Sequence, residues 1–76
     1  MTEAEAEQKS IELTNLLKPK YKDISAHVDL IAGTDKINIS LFWNRKSRDH
    51  YNDSRTFRIE SVDYEKVLNE EIIKLL

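Results

Sequence analysis

Between Ile24 and Trp43 the chain reads ISAHVDLIAGTDKINISLFW, and apolar and polar positions alternate through most of it. Ile24, Ala26, Val28 and Leu30 share one parity before Gly33, and Ile37, Ile39, Leu41 and Trp43 share the opposite parity after it. A period of two marks half-buried strands, and a change of parity across a glycine marks a hairpin. With Gly33 and Thr34 as central residues of a tight turn, glycine supplying the positive φ, the expected pairs are Leu30 with Ile37, Val28 with Ile39, Ala26 with Leu41 and Ile24 with Trp43. All four are apolar, so a slip of one residue turns the whole set to the other face. A third strand over about Arg55 to Glu60 places Phe57 and Ile59 on one side and Thr56, Arg58 and Glu60 on the other.

Helical spacing flanks the strands. Thr2 followed by Glu5 fits a capping box, with glutamates crowding a first turn whose dipole favours them. The helix runs to about Leu17, with Ala6, Leu13, Leu16 and Leu17 in one arc, Ser10 beside it and Ile11 outside it. Pro19 ends it, because the residue before a proline is pushed out of the helical region. In SVDYEKVLNEEIIKLL the residues Tyr64, Val67, Leu68, Ile72 and Leu75 line one side. Asp63 is a candidate cap around which Val62 can staple onto Val67. Glu71 falls inside the apolar arc and is expected to carry its carboxylate to the edge; the sharper reading is a buried carboxylate partnered by a residue such as Arg58. Ile73 and Leu76 sit off the sheet-facing arc and are expected to reach the neighbouring helix.

The expected fold class is α+β: helix-strand-strand-strand-helix, a three-stranded antiparallel sheet with both helices packed on one face, in a single small domain over residues 1–76. At 76 residues the domain has little room for a large cavity, and without cysteine neither a disulfide nor a thiolate metal site adds stability. No apolar run approaches the roughly 20 residues of a bilayer span, and Met1 to Gln8 is acidic where a signal segment is basic. A cytoplasmic protein is expected. Its element order is shared with the double-stranded-RNA-binding domain, but the start of the last helix, where that family is lysine-rich, here carries Asp63 and Glu65. The order alone is analogy.

Charge divides along the chain. Residues 1 to 17 carry Glu3, Glu5, Glu7 and Glu12 against Lys9, a net of −3, while 44 to 58 carry Arg45, Lys46, Arg48, Arg55 and Arg58 against Asp49 and Asp53, a net of +3. A total of −2 argues against a broad grip on phosphates but leaves room for a local patch.

Three constellations invite a chemical reading. His27, Asp29 and Ser40 share a sheet face, yet a flat, water-washed face offers a serine nucleophile no oxyanion hole or dry pocket. Asp49, His50 and Asp53 lack a recognised metal spacing and a fourth ligand. Asn38-Ile-Ser40 and Asn52-Asp-Ser54 match a glycosylation pattern, but no secretory signal is expected and the matches are read as chance. No catalytic residue, cofactor or metal is expected from them.

A fourth stretch carries more weight: WNRKSRDHYNDSR, from Trp43 to Arg55. A connection of about 11 residues, Asn44 to Ser54, is long for a hairpin, and long connections in small domains tend to be functional. Arg45, Lys46, Arg48 and Tyr51, then Arg55 and Arg58, suit a surface that meets something acidic, and Phe42 adds an aromatic that alternation puts on the polar face, near Ile31 and Arg58. The expected function is a non-catalytic protein-binding module, an adaptor, inhibitor or regulator, that uses the open sheet face and basic loop 44–55 against an acidic patch on another protein. The alternative is a nucleic-acid-binding module in which the cations track phosphates and Phe42 or Tyr51 stacks on a base. The chain is expected to be a monomer, or a homodimer through a sheet edge.

Overall fold

Leu30 faces Ile37, Val28 faces Ile39 and Ala26 faces Leu41 across an antiparallel hairpin, as the alternation requires. A computed structural model describes residues 1–44 and 53–75 of the chain. Its elements are α1 (Glu3–Leu17), β1 (Lys22–Leu30), β2 (Lys36–Asn44), β3 (Asp53–Glu60) and a C-terminal helical segment. The segment opens with a 3-10 turn (Ser61–Asp63), passes through the short helix α2 (Tyr64–Val67) and π-helical turns (Leu68–Ile72), and ends in a 3-10 turn (Ile73–Leu75). The strands lie in the order β1-β2-β3, and β2 pairs antiparallel with both neighbours.

The fourth expected pair, Ile24 with Trp43, is replaced by a bulge. Lys22 pairs with Asn44 and Ser25 with Phe42, so Asp23 and Ile24 together oppose Trp43. Asp23 takes φ 54°, a left-handed conformation that aspartate tolerates better than most residues. The turn also sits one residue earlier than expected. The Thr34 amide donates to the Ile31 carbonyl at 3.2 Å, making Ala32 and Gly33 its central residues, and Gly33 has φ 77°. A longer connection closed by the Ile31 amide on the Lys36 carbonyl (3.1 Å) leaves the register unchanged. Space around Gly33 is open, so only its backbone conformation selects glycine. Gly33→Val is expected to cost about 1–2 kcal/mol and Gly33→Asn less, read as urea midpoints.

At its start α1 is capped by the Thr2 hydroxyl, which accepts from the Glu5 amide at 3.2 Å and donates to the Glu5 carboxylate at 3.3 Å. The carboxylate thus meets the capping hydroxyl, a variation on the expected box. Ser10 supplies a tie between layers: its hydroxyl donates to the Ala6 carbonyl (2.9 Å) and accepts from the Val28 amide of β1 (2.8 Å). The helix therefore packs on β1 through more than apolar contact.

The core consists of Ala6, Leu13 and Leu17 from α1, Ala26, Val28, Ile37, Ile39 and Leu41 from the sheet, and Tyr64 and Ile72 from the C-terminal segment. All lie on one face of the sheet, so both helical elements cover that face. Four expectations at the edges of the core change. Leu16 belongs to the exposed large apolar residues, because α1 packs on β1 and buries Ala6, Leu13 and Leu17 while leaving Leu16 at the rim. Val62 is 89% exposed and Asp63 makes no capping hydrogen bond, because the chain leaves β3 through a 3-10 turn that points Val62 outward rather than onto Val67. Glu71, by contrast, is exposed, as its expected place at the edge of the arc requires. Ile73 is exposed as well.

Burial of Tyr64 has an electrostatic signature. Its ring is 3% exposed with the Lys9 ammonium 5.0 Å from its centroid, and Lys9 also pairs with Glu65 at 3.6 Å. The buried hydroxyl finds no hydrogen-bond partner among the described residues. Burial, reinforced by the Glu12 and Glu65 carboxylates, pushes the phenol up to about 12. The unfolded chain releases that proton near 10, so this contribution to stability is complete below that pH and is lost as pH rises toward 12. Tyr64→Phe is expected to hold or gain up to about 1 kcal/mol at neutral pH, since an unpartnered hydroxyl is removed. It should also flatten the alkaline fall in the denaturation midpoint relative to the parent.

Candidate functional site

Every second side chain of the sheet points away from the helices, and these line up in rows. They are Ser25, Phe42 and Ser54; His27, Ser40 and Thr56; Asp29, Asn38 and Arg58; and Lys36 with Glu60. Phe42 is the one aromatic among them and is 37% exposed. Arg58 Nε donates to Asn38 Oδ1 at 3.3 Å, tying the third row together. His27 does lie opposite Ser40, but its ring is hydrogen bonded to Ser25 on its own strand, Nε2 to Oγ 2.8 Å, while Asp29 lies opposite Asn38. Ser25, not Asp29, is therefore the partner of the imidazole.

Phe42 and Arg58 are both on this face, but not side by side. Four residues along the strand separate their rows, roughly 13 Å at strand spacing. Ile31 is farther still, at the hairpin end, where its amide meets Lys36. The expected neighbourhood of Phe42, Ile31 and Arg58 is thus corrected by antiparallel geometry: what is close to Phe42 is Ser25, Ser54 and the end of the sheet. At that end the chain leaves β2 at Asn44 and enters β3 at Asp53. Arg55 belongs to the opposite face, directly across from Leu41, and is exposed at the rim of the helix-covered side.

The connection is shorter than expected, residues 45–52, because Trp43 pairs with Asp53 and Phe42 with Ser54 in the β2–β3 ladder. Arg45, Lys46, Arg48 and Tyr51, together with Asp49 and His50 of the metal reading, lie outside the described residues. Among the described residues no group of three or more His, Asp or Glu side chains is placed to hold a metal ion. On the helix-bearing side of the same end, Tyr21 and Trp43 stack at 5.0 Å with 48° between their planes, and the Lys20 ammonium lies 5.9 Å from the Tyr21 ring. The Tyr21 contact escaped the alternation because it comes from the turn after Pro19, outside any periodic segment.

Ile11, which the helical wheel left unplaced, is 51% exposed and lines a shallow groove of about 270 Å³ with Ser10, Thr14, Ala26 and His27. No helix among the described residues is long and apolar enough to cross a membrane. Set against family models, curated proteins and solved structures, the chain has no significant match.

Proposed function

We propose that this chain is a small non-catalytic protein-binding module, of the adaptor or inhibitor kind, that docks through the loop-bearing end of its open sheet face onto an acidic patch of another protein. Exposed Phe42 carries the reading: it is a large apolar side chain in an otherwise polar face, at the end from which the cation-rich segment departs. Aromatic anchors ringed by polar and cationic residues are the usual energetic centres of protein interfaces. Arg45, Lys46 and Arg48 follow Phe42 closely in the chain, Arg55 stands near this end on the opposite face of β3, and Arg58 lies four residues from the Phe42 row along the open face. The same cations also suit a phosphate backbone, with Phe42 stacking on a base; the net charge of −2 favours the protein partner.

Amide chemical-shift mapping separates the two. The labelled protein is titrated at low salt with acidic peptides that each carry one apolar residue, and with short single-stranded and duplex oligonucleotides. Saturable shifts at Phe42 and its neighbours with the peptides, lost in Phe42→Ser and in the charge-reversed Arg45→Glu, Lys46→Glu, Arg48→Glu variant, are expected. Saturable shifts with the oligonucleotides that weaken steeply with salt assign the surface to nucleic acid instead. Silence toward both probes removes the docking role from this end of the sheet.

A further inference from the structure

The two edges of the sheet are not equivalent. The Ile31 amide bonds to Lys36, so odd-numbered residues of β1 turn their backbone groups toward β2 and even-numbered ones turn theirs outward. On that outward side α1 has moved in: the Val28 amide is taken by the Ser10 hydroxyl, and the bulge at Asp23 and Ile24 breaks the strand farther along. Both are devices that keep a foreign strand off an edge. The opposite edge is built differently. The Ser61 amide donates to the Asp35 carbonyl at 2.8 Å, continuing the β2–β3 ladder with odd-numbered residues, so Thr56 and Arg58 direct their amides and carbonyls away from the sheet. No strand lies beyond β3 among the described residues. The apolar face also runs off this edge: Phe57 and Ile59 are half-buried, whereas their partners Ile39 and Ile37 are fully buried.

We infer that the β3 edge pairs with the β3 edge of a second copy of this chain, joining two three-stranded sheets into one across a two-fold axis at Phe57. A second copy suits the edge because an antiparallel pairing centred there is self-complementary. It sets Thr56 against Arg58 of the other copy and Ser54 against Glu60, so no like charges face one another. On the helix-bearing face Phe57 meets Phe57 of the other copy, and the aliphatic stem of Arg55 lies along Ile59, with its charge free to reach water. This register pairs residues 54–60, all of β3 but Asp53, and the half-buried apolar rim becomes the middle of a continuous face. It draws on edge backbone groups, not on the open-face side chains, and stands or falls separately from the docking role.

Strand pairing on this scale belongs with the smaller interfaces, below about 1,200 Å², so association is to be sought up to millimolar concentration. Sedimentation of the full chain should show a mass rising from 8.9 kDa to twice that value. Over the same range the amides of Thr56 and Arg58 should lose exchange rate, while those of Phe57 and Ile59, already bonded to β2, stay slow throughout. Thr56→Pro removes an outward donor and spares the β2–β3 bonds, so it should remain folded by circular dichroism and sediment as a monomer. Where that variant does not fold, the exchange of the parent protein decides. A constant 8.9 kDa mass overturns the inference and leaves the edge to an extended peptide of another protein. A dimer in which the Thr56 and Arg58 amides exchange as fast as in dilute solution, or a folded Thr56→Pro that still dimerises, overturns it as well.

Discussion

Ile39→Ala is expected to cost roughly 2–5 kcal/mol and to lower the urea midpoint steeply. Ile39 is fully buried at the middle of the central strand, between Val28 on one side and Phe57 on the other. Removing three carbons there opens a cavity walled on two sides by strands that cannot close in without breaking their ladders. A chain of this length holds roughly 4–11 kcal/mol of net stability at typical per-residue values, so one such cavity consumes a large share. Ile39→Val, which removes one methyl, should cost roughly 0.5–1.5 kcal/mol. Urea denaturation followed by circular dichroism reads both. If Ile39→Ala and Ile39→Val proved equally mild, the centre of the core would lie elsewhere.

Ser10→Ala should be nearly as informative, with an expected loss of about 1–3 kcal/mol. Alanine is the better helix former, so propensity alone predicts a small gain. The loss arises across the layers, where the amide of the buried Val28 is left without its acceptor. Ser10→Thr keeps a hydroxyl and should retain most of the stability. The distinguishing measurement is exchange at the Val28 amide, which in Ser10→Ala should accelerate more than the change in global stability accounts for. A Val28 amide as protected as in the parent would mean that another group accepts from it.

Alternation was enough to obtain the three strands, their order, three of the four cross-strand pairs and the face that carries the helices. One parity covers the core with apolar residues and only one register satisfies it. The bulge was not legible, because Asp23 and Ile24 look like any polar and apolar pair until a partner strand is laid beside them. Nor was the turn position: Gly33 can stand at either central place, and hydrogen bonding through Thr34 selected the earlier one. At the candidate site, alternation put Phe42 and Arg58 on the polar face, as observed. Their separation along it was missed, because a face is a two-dimensional surface and parity specifies only which side. The role of Ser10 was visible merely as a polar residue beside an apolar arc; that its hydroxyl reaches a strand edge depends on where the helix axis crosses the sheet, which no local pattern encodes.

Strands lying side by side in chain order have a consequence for how the molecule assembles. Each strand meets the one made just before it, and α1 meets β1, so most of the native neighbourhood is close in sequence. Low separation between contacting residues goes with fast folding, typically milliseconds or less for mixed domains of this size. The long reaches are those that bring Tyr64 and Glu65 to Lys9, joining the first element to the last. Closure of the ends is therefore the natural late step, and on a ribosome it waits until the final helix has cleared the exit tunnel.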